Sequence, residues 1–155
     1  QNIVIGGAAG ALPPVIGWTI ATNSLSFEPI TFFLIIFFWT PSHFWALSLY
    51  KSDDYKKAKI PMLPLTNGIE STKINILVYS LLMLPMIILP YAINFVGLVF
   101  LVPALMLTLY YNFLCFELYM YKKNKFNPKK AKTIFGYSIL YLFLIFVIFL
   151  IDKIL

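Results

Sequence analysis

The sequence has no arginine, a single cysteine, a single histidine and few charges of either sign: 12% of its 155 residues are charged. Each scarcity excludes something. One cysteine, Cys115, rules out an intrachain disulfide and leaves no partner thiol for a metal site. It lies in an apolar run and reads as an inert buried thiol. All the basic residues are lysine, which reads as a composition bias rather than a functional choice. A soluble domain carries about a quarter charged residues. Half of that, against 61% hydrophobic residues and a mean hydropathy of +0.85, excludes an ordinary soluble globule. Alternating polar residues are also missing, which excludes membrane barrel strands and leaves helices. Neither repeats nor low-complexity tracts occur, and no signal-peptide pattern is visible. The chain does not begin with Met and runs at once into an apolar segment. It is therefore expected to be a piece of a longer protein, forming one membrane domain over residues 1–155.

What is present is long apolar runs. A spanning helix needs about 20 mostly apolar residues, and five stretches qualify: 3–22, 29–50, 74–94, 95–121 and 135–151. The fold class is thus all-α, a polytopic membrane helix bundle. Asn94 and Gly97 supply the turn signal between the third and fourth spans. Prolines inside the spans (Pro13, Pro14, Pro41, Pro85, Pro90, Pro103) remove backbone donors, which is tolerated where neighbouring helices satisfy the freed carbonyls. Gly6 and Gly10 form a small-residue face on the first span. Close helix approach is the favoured reading, and room for a bulky ligand is the alternative.

The net charge of +6 does not point to nucleic acid, because the lysines flank spans. Lys51, Lys56, Lys57, Lys59 and Lys73 fall in one loop, and Lys122, Lys123, Lys125, Lys129, Lys130 and Lys132 in another. The loops around 23–28 and 94–97 have none. The positive-inside rule puts the first residues and loops 51–73 and 122–134 on the cytoplasmic side or its equivalent. The second basic loop, Lys122–Lys132, reads as a solvated basic loop, with an attraction for anionic lipid as a secondary effect.

Function is signalled where the second span meets its loop. Trp39-Thr40-Pro41-Ser42-His43-Phe44-Trp45 places the one histidine inside the apolar run. Tyr50-Lys51-Ser52-Asp53-Asp54-Tyr55 places two adjacent carboxylates at its end. An ionisable ring in a span is costly and marks a candidate functional site; a bond to a neighbouring helix is the plainer reading. If the helix continues past Tyr50, then Trp39, His43, Tyr50 and Asp54 share one face. Adjacent aspartates suit Mg²⁺ together with phosphate oxygens, with Lys51, Lys56, Lys57 and Lys59 at hand for the phosphate. A solvated loop of mixed charge is the competing reading. One pair rarely completes a metal site and the chain has no other, so either this is not a metal site or a second acidic cluster lies outside this chain. Pro61 and Pro64 bound either a plain connector or a rigid lid. Glu117 reads as snorkelling to the surface.

Three stretches carry a resemblance: residues 1–18, residues 39–47, and residues 51–58 followed by 60–64. In this order they resemble signatures of the protohaem IX farnesyltransferase family, one of the UbiA-type intramembrane prenyltransferases. The resemblance implies nine helices around a cavity open to lipid, of which this chain would supply about five. It implies two aspartate-rich motifs that bind the diphosphate of farnesyl diphosphate through Mg²⁺. Asp53 and Asp54 fall on the second motif; the first is expected before Gln1. The implied acceptor is haem B and the implied product haem O. Catalytic roles fall to His43, Asp53 and Asp54, metal binding to Asp53 and Asp54, and substrate contacts to Trp39, Tyr50, Lys51 and Lys57. Membrane lipid surrounds such an enzyme, and haem A synthase or oxidase assembly factors are the protein partners it suggests. The bacterial cytoplasmic membrane is the implied location, with the mitochondrial inner membrane as the alternative. Ser42 stands where the family usually has a second proline, which loosens the bend before His43. Rival readings are a prenyltransferase acting on a quinone ring, a transporter bundle, and a haem-binding assembly factor without turnover.

Overall fold

A computed structural model describes residues 2–121 and 127–155. Lys122, Lys123 and Lys125, and with them most of the second basic loop, lie outside the described residues, as does Gln1. Among the described residues all regular structure is helical: α1 (Asn2–Ala11), α2 (Pro13–Thr22), α3 (Glu28–Tyr50), α4 (Ser52–Lys57), α5 (Leu63–Thr66), α6 (Gly68–Ala92), α7 (Leu98–Met120) and α8 (Pro128–Ile154). The pair α1–α2 and the four long helices are long and apolar enough to cross a membrane.

The first span is one helix interrupted at Leu12, which keeps helical dihedrals of −71° and −30°. Pro13 and Pro14 have no N–H for the carbonyls one turn back, so the ladder is cut there. Prolines 41, 85, 90 and 103 are carried inside continuous helices. Between α6 and α7 the chain turns at Asn94, in the left-handed region at φ 59°. Asn94 and Gly97 therefore mark the turn as the sequence suggests.

Two helices begin earlier than hydropathy alone predicts. α6 starts at Gly68, so Lys73 is not a loop residue. Its side chain is buried, and Nζ donates to Glu70 Oε1 and to the Tyr121 carbonyl, both at 2.9 Å. A buried ammonium requires such partners, and here they tie the start of α6 to the end of α7. α8 starts at Pro128, with the Asn127 side chain accepting from the Lys129 N–H at 3.0 Å. Lys129, Lys130 and Lys132 are thereby helical, and Lys130 pairs with Glu117.

α3, α6, α7 and α8 close a four-helix ring in that order, and α1 and α2 lie outside it against α3. The polarity is inverted relative to a soluble protein. Ser42, Ser48, Thr72, Ser80, Thr108 and Ser138 are completely buried, while Met106, Phe113, Phe143 and Leu150 are exposed. Hydrocarbon outside offers no hydrophobic drive to pack, so small and hydroxyl side chains make the contacts. The Tyr111 hydroxyl donates to Ser42 Oγ at 2.9 Å, joining α7 to α3. Ser42, where the resembling family usually has proline, thus provides an interhelical contact that proline could not. The small-residue expectation for α1 is corrected. The glycine in close approach is Gly7, where a Cβ would stand 3.1 Å from Thr40 Cγ2; Gly6 and Gly10 face open space. The rotation of α1 about its axis, which spacing leaves undefined, decides this.

At the opposite end from the basic loops, Asp152 of α8 accepts the N–H groups of Gly97 (3.1 and 3.0 Å) and Phe100 (3.0 Å). It caps α7 from a neighbouring helix, since Gly97 has no side chain to do so. Asp152→Ala in the full-length protein should cost about 1–2 kcal/mol, read as a lower thermal midpoint in detergent.

Candidate active site

α3 and α8 are antiparallel neighbours. Phe32 packs on Phe149 and Phe146, His43 meets Phe135 and Ser138, and Tyr50 meets Lys132. Side chains from one face of α3 therefore meet α8 along most of its length. Trp39 and His43, four residues apart, stack at 4.2 Å between ring centres with 19° between planes. Phe135 covers the other face of the imidazole at 4.8 Å and 27°. His43 Nδ1 lies 2.6 Å from Ser138 Oγ. Ser138 Oγ donates to the Phe135 carbonyl at 2.6 Å, and Trp39 Nε1–H donates to the Ser138 carbonyl at 2.9 Å. His43 thus does bond a neighbouring helix, yet only through Nδ1.

Trp39 separates two apolar grooves. One, of about 400 Å³, runs between α1 and α3 and is lined by Gly6, Gly7, Gly10, Ile36, Trp39 and Phe44 among others. Here Gly6 and Gly10 leave space instead of packing. The other, of about 350 Å³ between α3 and α8, is lined by Trp39, His43, Ile139, Leu142, Phe143 and Phe146.

The polar end of the site is bent. α3 stops at Tyr50, and Lys51 (φ −106°, ψ 26°) is the joint to α4. The single continuous stripe from Trp39 to Asp54 is therefore corrected to two segments. Lys51 N–H ends α3 on the Leu47 carbonyl at 2.8 Å, and the Lys51 carbonyl starts α4 by accepting from Asp54 N–H at 3.1 Å. This puts Asp53 and Asp54 in the first turn of α4, where the helix dipole favours carboxylates, and Lys56 and Lys57 in the last. Lys59, at φ 56°, then reverses the chain. α5 follows, with Pro64 in its first turn, so the Pro61–Pro64 stretch is partly helical.

Tyr50, Lys51, Asp53 and Asp54 line a hollow of about 210 Å³. Lys51 Nζ is 3.1 Å from Asp54 Oδ2, and the hydrogen bond and charge of Asp54 raise the Lys51 pKa from its ordinary value. Lys51 and Lys132 hold their ammonium groups 5.5 and 5.6 Å from the Tyr50 ring centre. Lys57 does not line the hollow. Lys132 is the addition that sequence reasoning missed: it had been grouped with a solvated loop, and nothing in its local spacing ties it to Tyr50. From Tyr50 to His43 is seven helical residues, about 10 Å along α3.

No group of three or more His, Cys, Asp or Glu suited to a metal occurs among the described residues. Two adjacent, accessible carboxylates are hard oxygen donors that suit Mg²⁺, which keeps waters and takes phosphate oxygens alongside one or two carboxylates. They fit as part of a site.

The sequence is similar to curated proteins along its whole length. A protoheme IX farnesyltransferase of Pelagibacter ubique (strain HTCC1062) is 96% identical over 155 residues, all of this chain and 51% of that protein. One from Parvibaculum lavamentivorans is 49% identical over 155 residues, all of this chain and 49% of its own length. Protoheme IX farnesyltransferase 1 of Pseudomonas fluorescens is 49% identical over 152 residues, 98% of this chain and 50% of its length. The chain spans about half the length of these curated relatives. No solved structure matches. The pattern of the UbiA prenyltransferase family matches residues 1–139, a stretch that holds the interrupted first span, His43 and Ser138, and the acid hollow. This integral membrane chain belongs to the UbiA prenyltransferase family.

Proposed function

We propose that the full-length protein is a protohaem IX farnesyltransferase that moves the farnesyl group of farnesyl diphosphate to a vinyl group of haem B, giving haem O. The observation that carries this reading is the 96% identity, along the whole chain, to a protein of that name. The site supports it: carboxylates and ammonium groups at one end of α3, and an imidazole in an aromatic groove about 10 Å deeper, suit a substrate with a charged head and a large apolar body.

Asp53 and Asp54 would hold Mg²⁺ together with an acidic cluster from the rest of the protein. The ion, when bound, supplies positive charge to the departing diphosphate oxygens. Lys51 and Lys132 add charge beside Tyr50. The farnesyl C–O bond breaks with its electron pair leaving on diphosphate. The vinyl π electrons form the new C–C bond, and water adds to the resulting cation with loss of a proton. Trp39, Phe44 and Phe143 line grooves of low polarity that keep bulk water from the allylic cation. Trp39 also offers a π face to positive charge. The basic loops lie on the cytoplasmic face of a bacterial membrane, where a water-soluble prenyl diphosphate can enter.

Incubating the full-length protein with haem B and farnesyl diphosphate tests the reading. Haem O identified by mass supports it. Prenylation of a quinone instead, or solute flux without any need for farnesyl diphosphate, would replace it. In the same assay Lys132→Gln should raise KM for farnesyl diphosphate about tenfold, the loss of one charge-assisted contact of about 1.5 kcal/mol. KM for haem should not change.

A further inference from the structure

Ser138 lies on α8 and is completely buried, and it makes three contacts around one imidazole edge. Its hydroxyl has one proton, and that proton is given to the Phe135 carbonyl at 2.6 Å. His43 Nδ1, 2.6 Å from the same oxygen, can then form a hydrogen bond only by donating. The Ser138 carbonyl takes the Trp39 indole N–H at 2.9 Å, which fixes the ring stacked on the imidazole. Phe135 closes the opposite face. The imidazole is held against rotation by two aromatic planes and against tautomer exchange by the serine. Nε2, on the far edge, has no hydrogen-bond partner among the described residues, and His43 lines the apolar groove between α3 and α8. A neutral imidazole with Nδ1 protonated carries its lone pair on Nε2.

We propose that Ser138 is a positioning residue that holds His43 as the Nδ1–H tautomer, so that Nε2 is the atom presented to the acceptor, where it ligates the iron of the bound haem. An imidazole with its other nitrogen committed to an oxygen acceptor is the usual form of a metal-ligating histidine. A groove walled by Trp39, Phe143, Phe146 and Leu142 suits a flat apolar macrocycle. The tautomer stands independently of the function proposed above; only the identity of the occupant rests on it.

The test uses the full-length protein in detergent with nitrogen-labelled histidine, the His43 signals being assigned by their loss in His43→Gln. Above the ordinary imidazole range of pH, Nδ1 should resonate as a protonated nitrogen and Nε2 as a bare one. Ser138→Ala should give a mixture of tautomers, and Ser138→Thr, which keeps the hydroxyl, should restore the single form. Titration with haem B should then perturb Nε2 in the wild type. Ser138→Ala should weaken haem binding about tenfold, as loss of a supporting hydrogen bond to a metal-ligating histidine does, with pyrophosphate binding unchanged. A wild-type His43 protonated on Nε2, or a tautomer indifferent to Ser138→Ala, overturns the positioning role. If Ser138→Ala does not fold, the wild-type and Ser138→Thr spectra decide the tautomer alone. A correct tautomer with no haem binding in any variant overturns the occupant and counts against the proposed function, and leaves the serine's role intact.

Discussion

Asp53→Ala or Asp54→Ala in the full-length protein should lower haem O formation by at least ~100-fold, the usual consequence of removing one group that stabilises charge at a reacting centre. Each carboxylate stands in the first turn of α4, so the backbone places both oxygen sets at the same hollow. The two variants should nevertheless differ. Asp53 has no ion-pair partner among the described residues, whereas Asp54 is 3.1 Å from Lys51. Asp53→Ala should therefore act through the metal alone, with part of the activity recovered at high magnesium. Asp54→Ala also frees the Lys51 ammonium and lets its raised pKa fall back toward the ordinary lysine value. High magnesium should recover less of its activity. The measurement is the rate of haem O formation against magnesium concentration for both variants. Normal haem O levels in either one would remove the acid pair from the reaction.

His43→Ala should lower haem O formation by ~100-fold, with the loss concentrated on the haem side. Truncation removes the group stacked between Trp39 and Phe135 and leaves the Ser138 hydroxyl without its partner. Part of the loss is therefore structural. His43→Gln separates the two effects, because the amide refills much of the volume and can donate to Ser138 Oγ. A role confined to packing predicts that His43→Gln regains activity. A role for Nε2 toward haem predicts that it does not, and that KM for farnesyl diphosphate stays near the wild-type value in both variants. His43→Ala with full activity would exclude the histidine from the reaction.

Much of the fold was legible in the residues. Five apolar runs, separated by lysines on one side and turn residues on the other, correspond to five spanning units. Asn94 turns the chain where its neighbours suggest, because asparagine tolerates the left-handed backbone at φ 59°. The acid pair, the imidazole and the aromatic run around it could be picked out because local order along one helix is a matter of spacing alone. The stripe was wrong beyond Tyr50. Nothing between Tyr50 and Asp54 breaks a helix by composition, and the joint at Lys51 is made by its own dihedrals.

The residues by themselves determined that this chain crosses a membrane and roughly where each span lies. They did so because hydropathy, lysine placement and within-helix spacing are local properties. Only the tertiary structure decided that Gly7 and not Gly6 or Gly10 meets α3, that Lys73 is buried against Tyr121, and that Lys132 and Ser138 reach Tyr50 and His43. The physical reason is the solvent. Helices that are apolar on every side have no hydrophobic stripe to reveal which face turns inward, and their rotation is settled by the fit of small residues and hydroxyl groups between neighbours.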